Sequence, residues 1–150
     1  MQKVETQKQE LSNSETYAYT SHGESSNKTI ILIHGNISQK NWWDPLIPLL
    51  SEKFRVVAID LRGFGESSYN KPFNSLHDLA DDLKLLCDKL SLKDVVVVGW
   101  STGGGVAMSF AARYPDLVSH LILHNSMGIS GTPIAALGPD GKPTGQFVQK

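Results

Sequence analysis

The stretch Val95-Val96-Val97-Val98-Gly99-Trp100-Ser101-Thr102-Gly103 decides the fold class of this chain. Its run of β-branched residues is typical of a strand buried on both faces, and an amphipathic helix is predicted from Gly103 to Tyr114. A Gly-x-Ser-x-Gly pattern between a strand and a helix indicates a sharp turn that holds the serine strained, with its hydroxyl off the sheet edge. Side chains in place of Gly99 and Gly103 would collide across such a turn, which accounts for both glycines. We predict that Ser101, at the centre of this pattern, is the nucleophile.

The sequence of this turn has two other interpretations. A dinucleotide-binding loop requires glycine at its first, third and sixth positions. Here those positions hold Gly99, Ser101 and Gly104, so the middle glycine is missing. The next predicted strand also ends in His124 and Asn125 rather than in an acidic residue. The third interpretation is a glycine-rich turn with a solvated serine. It leaves the predicted strand and helix on either side of the turn unexplained.

Apolar runs elsewhere in the chain predict a sheet layered with helices. Buried strands are predicted at Thr29–Ile33, Arg55–Ile59 and Val118–Leu123, and a short edge strand at Tyr17–Thr20. Helices are predicted at Trp42–Leu50 and after Ser75, where Asp78 completes a capping-box pattern. Strands that alternate with helices and lack an exposed face favour an α/β fold with a mostly parallel sheet and helices on both faces.

Charge and composition exclude several classes of partner. The 150 residues carry 14 basic and 15 acidic side chains, a net charge of −1, without the basic footprint of a nucleic-acid or anionic-lipid surface. The N-terminus lacks the apolar stretch of a secretory signal. The aliphatic runs of four are far shorter than the roughly 20 residues of a membrane span. We therefore predict a cytoplasmic location, no membrane or nucleic-acid partner and no cofactor; the oligomeric state stays open.

Three blocks of the sequence resemble the α/β-hydrolase family, in its order and spacing. They are His34-Gly35-Asn36, Asp60-Leu61-Arg62-Gly63-Phe64-Gly65-Glu66-Ser67 and Gly99-Trp100-Ser101-Thr102-Gly103-Gly104. The resemblance implies that Asn36, after His-Gly, supplies one N–H of an oxyanion hole. The N–H of Thr102, at the start of the following helix, is expected to be the second donor.

The same resemblance divides the chain into three regions. It covers residues 16–127 as the N-terminal part of the hydrolase core. Residues 1–15 are polar and predicted to be a flexible N-terminus. Residues 128–150 are rich in glycine and proline, which predicts a loop or the start of a lid region.

The nucleophile narrows the implied reaction. Haloalkane dehalogenases and epoxide hydrolases of this fold resemble the chain in the His-Gly block but carry aspartate at the elbow. Ser101 therefore indicates acyl transfer through a covalent acyl-serine, as in an esterase, lipase, lactonase, thioesterase or perhydrolase. We expect a small-molecule or oligomeric ester as the substrate. The elbow Gly-Trp-Ser-x-Gly-Gly is similar to that of bacterial intracellular polyhydroxybutyrate depolymerases. The sequence leaves two alternatives open. One is a ligand-binding module of this fold, and the other is a truncated, non-catalytic product that associates through an unpaired strand.

The acid and the histidine of a Ser-His-acid triad are not identified in these residues. The family order is serine, acid, histidine. The candidates after Ser101 are two histidines in or at the end of a predicted strand and two aspartates in turns, namely His120, His124, Asp116 and Asp140. We expect the triad acid and histidine to lie beyond residue 150. The 150 residues would then be part of a longer chain, and alone they would have no ordinary turnover.

Five further side chains invite functional interpretations. His34 and Asp60 precede the serine, which favours structural roles in their turns over a role as base or triad acid. Trp42 and Trp43 either line an acyl pocket or start a helix packed on the sheet. Cys87 adjoins an apolar helical stripe, which indicates a core residue.

The His120 and His124 pair has neither a helix nor a third ligand, so no metal site is predicted.

Overall fold

The computed structural model describes residues 5–130, 135–140 and 142–147. Six strands form its main sheet: β1 (Gln7–Glu10), β2 (Thr16–His22), β3 (Thr29–Ile33), β4 (Arg55–Ile59), β5 (Val95–Trp100) and β6 (Val118–His124). Their order across the sheet is β1-β2-β4-β3-β5-β6. Strands β3 to β6 pair in parallel, and β1 and β2 add an antiparallel edge. The predicted mostly parallel sheet is confirmed.

Helices cover both faces of this sheet. They are α1 (Ile47–Ser51), α2 (Leu76–Lys89) and α3 (Thr102–Arg113), with short 3₁₀ helices at Lys40–Trp43 and Pro115–Leu117. Successive strand residues point to opposite faces. Ile31 therefore packs in one apolar cluster with α2 and α3, while Leu32 packs in a second cluster with Trp43 and α1. Both faces are buried, which explains why the strands are apolar throughout.

The cap of α2 agrees with the sequence. The Asp78 carboxylate accepts hydrogen bonds from the backbone N–H groups of Asn74 (2.7 Å) and Ser75 (3.2 Å). These bonds satisfy donors at a helix start that would otherwise lack partners.

The single helix predicted at Trp42–Leu50 is wrong. The chain forms a 3₁₀ turn that ends at Trp43 and begins α1 only at Ile47. A continuous helix would have placed Pro48 in its interior, where proline lacks the N–H that bonds four residues back. Starting at Ile47 instead puts Pro48 in the first turn, where that N–H is not needed.

Both terminal regions contain strands that the sequence did not predict. The flexible N-terminus predicted for residues 1–15 instead includes β1, which pairs with β2. The loop predicted for residues 128–150 includes the antiparallel pair β7 (Ala135–Leu137) and β8 (Pro143–Phe147). Residues 1–4, 131–134, 141 and 148–150 of these two regions lie outside the described residues.

Within the described ranges, strand β6 forms the second edge of the sheet. It was predicted to be buried on both faces, yet Leu121, Ile122 and Leu123 are 38%, 50% and 45% exposed. Among the described residues β6 pairs only with β5, so its outer edge and much of its surface are uncovered. None of the helices in the described ranges has the length and apolar character needed to cross a bilayer.

Candidate functional site

Ser101 lies at the turn between β5 and α3. Its backbone has φ 54° and ψ −120°, a left-handed conformation that is uncommon for a residue with a side chain. The turn is held by the Ser101 carbonyl oxygen, which accepts hydrogen bonds from the N–H groups of Gly104 (3.0 Å) and Met127 (3.2 Å). The elbow geometry that the sequence pattern predicts is therefore present, and α3 begins at Thr102, directly after the serine.

Close packing explains both elbow glycines. A Cβ on Gly99 would lie 2.3 Å from the carbonyl oxygen of Gly103. A Cβ on Gly103 would lie 2.3 Å from the carbonyl oxygen of His34 and 2.5 Å from that of Ile33. Those oxygens belong to the backbone and cannot swing aside. The glycines thus let α3 approach the end of β3 closely.

The segment that carries Asn36 lies against the elbow. A Cβ on Gly35 would lie 3.0 Å from the Cβ of Ser101 and 2.9 Å from the indole ring of Trp100. Asn36 follows in an exposed position, where its side-chain oxygen accepts a hydrogen bond from the N–H of Ile37 (3.0 Å). The N–H groups of the first turn of α3 have no acceptor within the helix. The two predicted donors, Asn36 and Thr102, thus come from the segments that flank Ser101, and their role as an oxyanion hole stays a prediction.

His34 is a buried structural residue. Its Nε2 accepts a hydrogen bond from the N–H of Leu61 at 3.0 Å, and its Nδ1 lies 2.7 Å from the carbonyl oxygen of Gly35. An amide N–H can only donate, so the proton of the neutral ring is on Nδ1. Burial lowers the pKa of His34 and favours this neutral form. With both nitrogens engaged, the ring ties β3 to the segment after β4 and serves neither as a base nor as a metal ligand.

Asp60 organises the loop after β4 instead of serving the serine. Its fully buried carboxylate accepts hydrogen bonds from the backbone N–H (2.6 Å) and Nζ (2.8 Å) of Lys40 and from the N–H of Glu66 (2.9 Å). Burial disfavours the charged form of Lys40, but its hydrogen bonds to Asp60 and Glu66 raise the pKa above its usual value. Sequence reasoning missed Lys40, because a lysine within a polar stretch gives no sign of burial.

A second buried charged cluster supports the same loop. The Arg62 guanidinium donates from Nε to Oδ2 of Asp82 (2.7 Å) and from Nη2 to Oδ1 (2.5 Å). The hydroxyl of Tyr17 donates to Asp82 Oδ2 (2.9 Å), and the Glu15 carboxylate lies 3.9 Å from Arg62. Asp82 interrupts the apolar stripe of α2, a signal from which this cluster could have been found.

The two neighbouring tryptophans have different environments. Trp43 is buried in the core cluster that includes α1. Trp42 is 52% exposed and stacks on Trp100, with ring centroids 4.1 Å apart and planes 4° apart. Trp43 therefore packs on the sheet as the second interpretation expects, although it ends a 3₁₀ turn instead of starting a helix. Trp42 extends the surface beside the elbow.

The histidines and aspartates after Ser101 do not complete a triad. In the described part of the chain no histidine forms a hydrogen bond with the Ser101 hydroxyl, and no cluster of three metal-ligating side chains occurs. The side chains of His120, His124, Asp116 and Asp140 are exposed. Asp140 accepts a hydrogen bond from the N–H of Lys142, as expected of a turn residue.

Cys87 is a core thiol. It is 1% exposed within the cluster formed by α2 and α3. Burial raises its pKa to about 12. This supports the core interpretation of Cys87 and not a nucleophilic one.

Comparison with known proteins decides the family. The family model for the alpha/beta hydrolase fold matches residues 28–141. The chain belongs to the α/β-hydrolase family. Epoxide hydrolase 3 of Xenopus tropicalis is 36% identical over 114 residues, which are 73% of this chain and 30% of that protein. An uncharacterized protein of Mycobacterium tuberculosis is 37% identical over 105 residues, 70% of this chain and 31% of that protein.

A solved structure gives the same result. A thermophilic esterase from Thermogutta terrifontis aligns with a TM-score of 0.74 and 30% identity, over 91% of this chain and 49% of that one. The chain thus spans about a third of the length of the first curated relatives and about half of this esterase. These relatives include an epoxide hydrolase as well as an esterase. Family membership therefore establishes a hydrolase fold but does not identify the bond that is cleaved.

Proposed function

We propose that the whole protein hydrolyses carboxylic esters through a covalent acyl intermediate on Ser101. The observation that carries this proposal is the side chain at the elbow. Ser101 occupies the strained turn between β5 and α3, in contact with the segment that carries Asn36. A hydroxyl in that position favours acyl transfer, whereas the resemblance implies aspartate there in epoxide hydrolases and haloalkane dehalogenases.

The proposed reaction has two stages. Oγ of Ser101 attacks the ester carbonyl as its proton passes to a histidine base, and the N–H groups of Asn36 and Thr102 stabilise the charge on the carbonyl oxygen. The C–O bond to the alcohol breaks, and the alcohol leaves with that proton. Water, deprotonated by the same base, then attacks the acyl carbon. The carboxylic acid departs and the Ser101 hydroxyl is restored.

The base and its acid partner are proposed to lie beyond residue 150. Two observations support this placement. The described histidines make no hydrogen bond with the Ser101 hydroxyl, and the chain matches only about half of the length of the esterase structure. His34 is unsuited to the task because both of its ring nitrogens are already hydrogen-bonded.

The substrate is proposed to be a small-molecule or oligomeric ester in the cytoplasm, without cofactor, nucleic acid or membrane as partner. The net charge of −1 gives no support for a nucleic-acid or anionic-lipid partner, and the single buried Cys87 thiol is compatible with a reducing compartment. Oligomers of 3-hydroxybutyrate are a second candidate substrate, because the elbow Gly99-Trp100-Ser101-Thr102-Gly103-Gly104 is similar to that of polyhydroxybutyrate depolymerases.

The test compares three substrates on the full-length protein. These are p-nitrophenyl acetate, a 3-hydroxybutyrate oligomer and styrene oxide, assayed with the wild type and with Ser101→Ala. The matched control is Ser119→Ala, because Ser119 lies near the start of β6, at the other end of that strand from the elbow. Ester hydrolysis that is abolished only by Ser101→Ala supports the proposal. Turnover of styrene oxide without ester hydrolysis would contradict it.

A further inference from the structure

The exposed surface beside the elbow contains an aromatic platform. Trp100 comes directly before Ser101, and the ring of Trp42 lies flat on the ring of Trp100, with centroids 4.1 Å apart. Trp42 remains 52% exposed. A tryptophan that is stacked on one side and open on the other offers a rigid apolar surface to a ligand.

Next to this platform is a hollow of about 460 Å³. It is lined by residues from the segment after β3 and the 3₁₀ turn, namely Ile37, Ser38, Gln39, Asn41 and Trp42. None of these side chains carries a charge. Ile37 and Trp42 supply its apolar surface, and Ser38, Gln39 and Asn41 supply neutral polar groups, a lining that suits an uncharged ligand.

Ile37, which lines this hollow, has a strained backbone conformation and an exposed side chain. Its backbone has φ 52°, which a β-branched residue rarely adopts. Its side chain is also 91% exposed. Neither feature contributes to the packed core, and strained residues of this kind cluster at ligand-binding sites.

A short segment of the chain joins the residues of the elbow to the residues that line the hollow. Gly35 lies against both Trp100 and Ser101, since a Cβ there would be 2.9 Å from the indole and 3.0 Å from the Ser101 Cβ. Asn36, the proposed donor to the carbonyl oxygen, follows Gly35, and Ile37 comes next. Ile37 and Trp42, which line the hollow, thus adjoin Asn36 in sequence and stack on Trp100, the residue before Ser101, respectively.

We infer that Trp42 and Ile37 bind the apolar acyl group of the ester, so that the substrate class is esters of uncharged acids longer than acetic acid. This inference rests on the proposed ester hydrolysis at Ser101. It assigns to Trp42 a role in specificity, in which its exposed ring face covers the hydrocarbon chain while the elbow performs the chemistry.

The test varies acyl length at a constant leaving group. The full-length protein is assayed with p-nitrophenyl acetate and p-nitrophenyl octanoate, as wild type, Trp42→Ala and Trp42→Phe. Leu49→Ala is the matched control, because Leu49 is also a large apolar side chain, 71% exposed, on α1. We expect Trp42→Ala to lower kcat/KM for the octanoate about tenfold, as when roughly two methylene groups lose apolar contact. The acetate value should change less than about twofold.

The remaining outcomes separate the two proposals. Trp42→Phe should restore most of the octanoate rate, since it keeps a flat apolar ring, and Leu49→Ala should leave the octanoate-to-acetate ratio unchanged. Equal losses for both esters in Trp42→Ala, or no change for either, would overturn the acyl-group role and leave ester hydrolysis intact. A wild type that hydrolyses neither ester would overturn the proposed function, and the acyl-group role with it.

Discussion

Nζ of Lys40 lies 2.8 Å from Oδ2 of Asp60, and both side chains are buried. The same ammonium is 2.9 Å from Oε1 of Glu66. Since Lys40 begins the 3₁₀ turn that carries Trp42, this ion pair fastens the proposed acyl-binding surface to the loop after β4. A charge that is buried and paired in this way is costly to leave without its partner.

Replacing Lys40 by methionine should lower the free energy of unfolding by about 3–5 kcal/mol, because Asp60 would keep a buried charge without its cation. The measurement is urea unfolding of the full-length protein. The control is Lys28→Met, which removes the cation of the exposed pair with Asp94 and should cost less than about 1 kcal/mol. Equal losses in the two variants would contradict the burial of Lys40.

Replacing Arg62 by methionine should also cost about 3–5 kcal/mol, since it leaves the buried Asp82 without its two charged hydrogen bonds. Arg113→Met provides the comparison. That arginine pairs with Asp81 at the surface, where both side chains are 43% exposed, and its loss should cost less than about 1 kcal/mol. Urea midpoints that rank the variants the other way would show that the Arg62 cluster is not structural.

Acid should destabilise the fold through the buried His34 and the half-buried His22. Burial lowers the pKa of His34 and of His22 below the usual 6.5. At a pH between the folded and the unfolded pKa values, the unfolded chain therefore binds more protons than the folded chain. This stability is present above pH 6.5 and is lost as the pH falls toward the folded pKa, by at most about 1.4 kcal/mol per pH unit for each histidine. Chemical unfolding between pH 7.5 and 5.5 measures it, and His34→Gln should show a shallower slope. A stability that rises as the pH falls would contradict the neutral, buried His34.

Gly103→Ala should destabilise the protein although alanine normally favours a helix over glycine. In an ordinary helix the change gains about 1 kcal/mol, but here the new Cβ would lie 2.3 Å from the His34 carbonyl oxygen. We expect a net loss of about 1–3 kcal/mol from overpacking. Ala111→Gly, in the same helix, measures the local propensity and should lose about 1 kcal/mol. A higher urea midpoint for Gly103→Ala would contradict the close contact between α3 and β3.

The central strands and the elbow were predictable because each carries a strong local signal. Strands β3, β4 and β5 are continuous apolar runs, and the sheet buries both of their faces. The Gly-x-Ser-x-Gly turn imposes its geometry through nearby backbone contacts. Strand β1, by contrast, is the polar sequence Gln-Lys-Gln-Glu at an exposed edge, so it has no apolar face from which a strand could be read.

Features that depend on contacts distant in sequence were not predictable in the same way. The pairing of Lys40 with Asp60 joins residues 20 apart in the chain, and a local pattern carries no trace of it. The exposure of β6 depends on which elements lie beside it, whereas its sequence resembles the buried strands. The helix predicted at Trp42–Leu50 could have been corrected from the sequence alone, because Pro48 would stand in its interior.

The most direct test of the account is covalent labelling of Ser101. The full-length protein is treated with a fluorophosphonate, and the site of the adduct is mapped by peptide mass, with Ser101→Ala and Ser119→Ala in parallel. The account predicts one adduct, on the peptide that contains Ser101, which is lost in Ser101→Ala and retained in Ser119→Ala. No adduct in the wild type, or equal labelling of the Ser101→Ala protein, would contradict the assignment of Ser101 as the nucleophile.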